Sequence, residues 1–271
     1  MRAAAAMAAA LMLVPLAGEA GPRVMSLDQC ADQYVLALSP RREIVGLSTR
    51  ARNADSYLKT EAAGLPERRA TAESILAAAP DVVVHNWGGD ELLLHDLERR
   101  GIRVLTIKDA TDFPQIAANI RRVAAGLDVA SAGRRLINHM DAQLSAAAGA
   151  GSGRKAYYLT SGGDTAGSGV LVDAMIRAAG FANIDTRPGY GVISLEGLLL
   201  HPPNLFVLGF FDQDMDAGER WSVGREAALR RLIAGRQSVS LPGSILGCPA
   251  WFAADGATEL AAWARAHPEH P

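Results

Sequence analysis

The residues best equipped for chemistry fall just after short apolar runs. Asp28 and Cys30 follow Arg23–Ser26. Arg50 and Arg52 follow Ile44–Ser48, and Asn86 and Trp87 follow Asp81–Val84. Asp109 follows Arg103–Ile107, Asp164 follows Ala156–Thr160, Phe210 follows Leu205–Leu208, and Cys248 and Trp251 follow Ser238–Leu241. If these runs are parallel strands, all of these residues lie beyond carboxyl ends, where open α/β sheets bind ligands. Arginines, Arg187 included, can fork onto the paired oxygens of a carboxylate, hydroxamate or catecholate. Trp87 and Phe210 offer flat faces to a bulky ligand, although either ring could instead pack in a core. The set is suited to holding a ligand.

Other chemistries find less support. Gly162 to Gly169 runs from a strand towards a helix, as a phosphate loop would, but lacks the Gly-Lys-Ser/Thr ending. Ser168 does not stand in a Gly-x-Ser-x-Gly elbow, because Ala166 occupies the first glycine position. The six histidines are scattered, so no metal site is expected and no resident cofactor. A secreted α/β enzyme with a cleft active site stays open as an alternative, without a recognisable nucleophile and base. Net charge is −2 and there is no basic run, which argues against nucleic acid as a partner.

The elements that must position these residues are strands alternating with helices. Helices are expected over Asp28–Leu38, Ser74–Ala79, Glu91–Arg100, Leu171–Ala179, Arg225–Ala234 and Ala254–Ala266, with another opening at Asp112, Phe113 and Pro114 and running to Gly126. Alternation of this kind implies parallel βαβ units. A long helix over Val129–Ala148 has apolar residues at helical spacing and stops at Gly149, Gly151 and Gly153. The reading is therefore α/β, with two Rossmann-like, parallel-rich lobes at 21–128 and 151–271 bridged by a single helix within 129–150. Residues 1–20 read as a signal peptide: Arg2, an uncharged apolar stretch, then Gly18-Glu19-Ala20 as a cleavage site. A soluble, exported chain is the expectation.

A repeat connects the lobes. Thr71-x-Glu73-x-Ile75-Leu76-x-x-x-Pro80-Asp81-Val82 matches Ser194-x-Glu196-x-Leu198-Leu199-x-x-x-Pro203-Asn204-Leu205, offset throughout by 123 residues, as from Glu73 to Glu196. In each copy a hydroxyl residue caps a helix, a glutamate sits in its first turn, and proline stops it before a strand. The same offset maps Trp87 onto Phe210.

These blocks, with Arg23-Val24-Met25-Ser26-Leu27, Trp87-Gly88-Gly89 and Gly101-Ile102-Arg103-Val104, resemble the periplasmic binding proteins that serve ferric-siderophore, cobalamin and haem ABC importers. The resemblance implies a monomer of two α/β lobes on one rigid helix, holding a metal chelate between them. It implies a permease dimer in the inner membrane as partner, with Glu73 and Glu196 docking on its arginines. Cobalamin-binding relatives carry aromatics near Arg50 and just before the Glu73 helix. Here those stretches read Thr49-Arg50-Ala51-Arg52 and Arg69-Ala70-Thr71, which favours an anionic ferric siderophore, with cobalamin or haem as alternatives. The pairing of Cys30 with Cys248 stays open: an oxidising compartment favours a bridge, and an open cleft opposes one.

Overall fold

The computed structural model describes residues 21–211 and 231–268. The expected signal peptide and most of the expected helix Arg225–Ala234 lie outside the described residues.

The first sheet has strands β1 (Val24–Ser26), β2 (Ile44–Ser48), β3 (Glu67–Arg68), β4 (Val82–His85) and β5 (Arg103–Thr106). Their order is β3-β2-β1-β4-β5 and every pairing is parallel. Val82, Val83 and Val84 are all fully buried. A parallel strand covered on both faces is apolar throughout rather than alternating. The helices of this lobe are α1 (Gln29–Leu38), α2 (Ala72–Ala78), α3 (Glu91–Arg99) and α4 (Phe113–Gly126). Side-chain caps set their starts: Asp28, Thr71, Asp90 and Asp112 each accept an N–H from the first turn. The C-cap of α2, Ala79, is left-handed at φ 45°, and Pro80 follows.

Helix α5 (Ala130–Ala147) then crosses to the second lobe. It packs on α4, and Gly133 lets the two helices approach: a Cβ there would lie 2.5 Å from that of Ala124. The second lobe has β6 (Lys155–Thr160), β7 (Asp164–Ala166), α6 (Leu171–Ala178), β8 (Ala182–Asn183), β9 (Tyr190–Val192), α7 (Leu195–Leu200), β10 (Leu205–Gly209), β11 (Ser238–Leu241), α8 (Gly243–Leu246) and α9 (Ala253–Ala266). Its main sheet is parallel in the order β11-β10-β6-β8. β7 and β9 form a separate antiparallel ribbon, with α6 and β8 between them in the chain, so the glycine-rich stretch after β6 contains a short strand.

One core runs through both lobes. It joins Tyr34, Ile116 and Ile120 to Met140 of α5, and then to Phe252, Leu260 and Met175. Two smaller clusters lie on the outer sheet faces, one under α2 and α3 around Ile75 and Leu97, the other around Leu198 of α7 and Phe206. The helices bearing Glu73 and Glu196 therefore occupy matching layers.

Besides α5, the lobes are joined directly. Cys30 and Cys248 form a disulfide with their Cα atoms 5.4 Å apart. The Tyr34 hydroxyl donates to the Pro249 carbonyl at 2.7 Å, and Tyr57 stacks on Phe252 with ring centroids 4.2 Å apart. The Tyr57 hydroxyl donates to Asp255 at 2.5 Å, and Gln143 of α5 donates to the other carboxylate oxygen at 2.6 Å.

Candidate functional site

Four adjoining depressions follow the seam between the strand ends of the two lobes. One of about 260 Å³ lies on lobe one between Asp28, Ser48, Arg50, Arg68, Arg69 and Trp87. It shares Arg50 and Trp87 with a second, of about 210 Å³, floored by Cys30, Gly247 and Cys248. Gly247 and Cys248 also border a third, of about 290 Å³, between Asp109 and Thr111 on lobe one and Tyr190 on lobe two. Tyr190 leads into the last, also about 290 Å³, with Tyr158, Asp164 and Phe210. The disulfide thus sits at the floor of a continuous cleft.

The lobe-one wall is aromatic and cationic. Trp87 is 56% exposed, and the Arg50 guanidinium lies over its ring, 5.9 Å from the centroid. Arg68 and Arg69 line the same depression. A guanidinium on an indole face leaves its N–H edges free for an oxygen anion. The lobe-two wall is aromatic with a carboxylate: Tyr190 is 65% exposed, Asp164 is exposed, and Phe210 is half-buried at φ 60°.

Several expected ligand contacts do other work. Asp28 is 1% exposed; it caps α1 and accepts the N–H groups of Asn86, Trp87 and Gly88 at 2.7, 3.2 and 2.9 Å. No lone pair of that oxygen is left for a ligand. Asn86 donates to the Ile107 carbonyl at 2.9 Å and so ties two strand ends together. Arg52 is paired with Glu67 at 2.5 Å, and burial is not what holds it, since its side chain is 59% exposed. Arg187 grips Asp185 through two hydrogen bonds of 2.9 and 2.6 Å. It lines a different depression, of about 450 Å³, beside Lys155 at the opposite end of β6. This pairing holds the Asp185 carboxyl below its usual range. Trp251 is 6% exposed and packs edge-on against Tyr34 and Phe252, so it belongs to the core. Cys30 is occupied by its bond to Cys248.

The residues brought to the cleft are Arg50, Trp87, Asp109, Asp164 and Phe210. Glu73 and Glu196 are exposed in the first turns of α2 and α7. Sequence reasoning missed Tyr190. Its flanking Gly189 and Gly191 signalled a turn, but the ribbon that carries the ring into the cleft pairs residues 24 to 28 apart.

Similarity to known proteins agrees with this architecture. The family described as "Periplasmic binding protein" matches residues 24–208, and the chain belongs to that family. Its members bind solutes rather than catalyse reactions. Among curated proteins, the "Cobalamin-binding protein" of Halobacterium salinarum is 25% identical over 226 residues, covering 78% of this chain and 60% of that one. The chain thus spans about 60% of the length of that relative. The periplasmic heme-binding protein RhuT from Roseiflexus superposes with a TM-score of 0.68 at 21% identity, over 90% of this chain and 98% of its own. The periplasmic heme-binding protein HutB of Vibrio cholerae gives 0.70 at 19%, over 89% and 97%. An ABC-type Fe3+-hydroxamate transport protein from Saccharomonospora viridis gives 0.63 at 20%, over 90% and 93%. At these identities the superpositions establish the two-lobed fold. Among the described residues no helix is long and apolar enough to cross a membrane.

Proposed function

We propose that this protein is the periplasmic substrate-binding component of an ABC importer, and that it captures a bulky, anionic metal chelate, a ferric siderophore above all. The observation that carries the ligand class is the lobe-one wall, where an exposed indole lies under Arg50 beside Arg68 and Arg69. Such a wall suits a ligand with an aromatic or flat surface and peripheral oxygen anions. Cobalamin is the second reading. It is supported by the Halobacterium relative and by the aromatic faces of Tyr190 and Phe210 opposite Trp87. Export through a signal peptide at residues 1–20 and function as a monomer complete the proposal.

Titration of the purified protein with ferric hydroxamate, catecholate and carboxylate complexes, cyanocobalamin and haemin tests the ligand. Saturable quenching of tryptophan fluorescence by a ferric chelate is expected. Tight binding of cyanocobalamin or haemin alone would displace the siderophore reading and leave the importer reading intact. Delivery is proposed to run through Glu73 and Glu196, which meet arginines of the two permease subunits. Glu73→Arg or Glu196→Arg places like charges in contact, a cost of several kcal/mol. Each reversal should abolish uptake and leave ligand affinity unchanged; normal uptake by both would refute the docking role.

A further inference from the structure

Two carboxylates stand one turn apart on α1, Asp28 at its cap and Asp32 four residues on, so they share a face of the helix. They are 1% and 0% exposed, and the ion pairs among the described residues involve neither. Buried carboxylates need hydrogen-bond donors, and beyond α1 Asp28 draws its donors from the loop after β4 whereas Asp32 draws them from the ends of β1 and β2.

Asp28 accepts the three successive N–H groups of Asn86, Trp87 and Gly88. The approach requires glycine at position 88, where a Cβ would lie 2.6 Å from the Leu27 carbonyl oxygen. Asp32 accepts from the Ser26 hydroxyl, from the Ser48 hydroxyl at 2.5 Å and from the Ser48 N–H at 2.8 Å. The Ser48 oxygen in turn accepts the Arg50 N–H at 3.1 Å. The circuit closes where the Arg50 guanidinium lies over the Trp87 ring.

We propose that Asp28 and Asp32 are paired positioning residues for the ligand-binding wall, Asp28 holding the loop of Trp87 and Asp32, through Ser48, the loop of Arg50. The proposal rests on the reading of that wall as the ligand surface.

A pH dependence follows from the geometry. Burial pushes the Asp32 carboxyl up to about 6, against the hydrogen bonds from Ser26 and Ser48, and the neighbouring Asp28 adds to the rise. The other charged or titratable groups around the pair are Arg50, Arg68 and Arg69, which line the depression with Asp28, His85 at the end of β4, lowered by burial, and Tyr34 of α1, raised by burial, on which Arg122 of α4 acts. A protonated Asp32 is itself a donor, so one serine contact must reverse or break. The Ser48–Arg50 turn then loosens while the Trp87 loop stays held.

The test uses the ligand-free, disulfide-intact protein labelled with 5-fluorotryptophan, with the Trp87 signal assigned by its loss in Trp87→Phe. The fluorine signal of Trp87 should move with pH around a midpoint near 6. Asp32→Asn should abolish that midpoint, and Asp28→Asn should displace the signal at every pH. Ser48→Ala cuts the Asp32 link from the β2 side and should shrink the movement severalfold, which carries the test if Asp32→Asn fails to fold. At neutral pH, Asp28→Asn should weaken binding of a ferric tris-catecholate complex roughly tenfold, the scale of a lost hydrogen bond to a charged group. A Trp87 signal that is flat with pH in the wild type, and unmoved in Asp28→Asn and Ser48→Ala, overturns the proposal. Signals that respond as expected in a protein that binds no chelate uphold the positioning role and refute the ligand reading of the wall instead.

Discussion

On lobe one, Trp87 and Arg50 stand on loops fastened to buried carboxylates of α1; on lobe two, Tyr190 stands on the two-stranded β7–β9 ribbon and Phe210 on a left-handed backbone. The first wall is rigid because several strong acceptors converge on it. The second depends on a two-stranded ribbon and on a bulky residue at positive φ, a conformation that costs free energy unless its surroundings enforce it. The ribbon is held to the lobe by the Thr165 hydroxyl, which donates to the Tyr158 carbonyl at 2.7 Å, and by the Asn183 amide, which donates to the Ala166 carbonyl at 2.9 Å. A preorganised wall facing a more adaptable one is a physically sensible division for a cleft whose lobes are tied at the floor.

The largest effect that could break this comparison is loss of the tie itself. The disulfide closes a sequence separation of 218 residues, and by loop entropy it stabilises the fold by about 5 kcal/mol. Cys30→Ser with Cys248→Ser should lower the melting temperature markedly and separate the lobes into two calorimetric transitions. A single transition at the original temperature would show that the shared core alone couples them.

Next comes the buried Asp32. The folded protein holds this proton more tightly than the unfolded chain does, at about 6 against 3.8. Its contribution to stability is therefore greatest below the lower value and declines as pH rises through the upper one. The change amounts to about 2 kcal/mol between pH 4 and 7. Denaturant titrations across that range should show the decline in the wild type, superposed on the other groups, and a shallower profile in Asp32→Asn. Parallel profiles would place the charge elsewhere.

A comparison of the two walls is sharper still. Trp87→Ala removes an exposed ring with its guanidinium partner and should weaken chelate binding roughly tenfold, the scale of a buried aromatic contact. Tyr190→Ala should weaken it less, because the two-stranded ribbon can readjust. Equal losses in isothermal titration would contradict the division into rigid and adaptable walls.

The smallest expected effect is at the seam. Tyr57→Phe removes the hydroxyl that donates to Asp255 and leaves that oxygen without its donor, for about 1.5 kcal/mol. The Tyr57 hydroxyl titrates well above its usual range because of burial and Asp255, so no change in this contact is expected below pH 9. A pH-dependent loss in that range would point to Asp255 rather than Tyr57 as the weak partner.

Much of the frame was legible in the chain. Asp28, Thr71 and Asp112 announce helix starts because a capping side chain acts within three residues of itself. The valine run 82–84 marks a strand buried on both faces, and the expected bridging helix over 129–148 forms over Ala130–Ala147. Short strands were missed: β3 and β8 have two residues each, too few for any periodicity to register. Of the β7–β9 ribbon, Asp164–Ala166 lies in the glycine-rich stretch read as a loop and Tyr190–Val192 was not read as a strand, because each has three residues and the partners lie 24 to 28 positions apart.

What the sequence determined by itself was therefore the α/β alternation, the bridging helix and the matched placement of Glu73 and Glu196, all set by caps, breakers and burial periods acting over a few residues. The partner of each chemically able side chain was decided only by tertiary structure. Arg50 and Arg52 are neighbours of one type, yet one lies over Trp87 and the other pairs with Glu67. Asp28, beyond a strand end like Asp109, turns inward to three N–H groups that lie about 60 residues further along the chain. Hydrogen bonds and disulfides are short-ranged in space but indifferent to sequence separation, so whether a side chain faces the cleft or a partner is fixed only once the lobes have met.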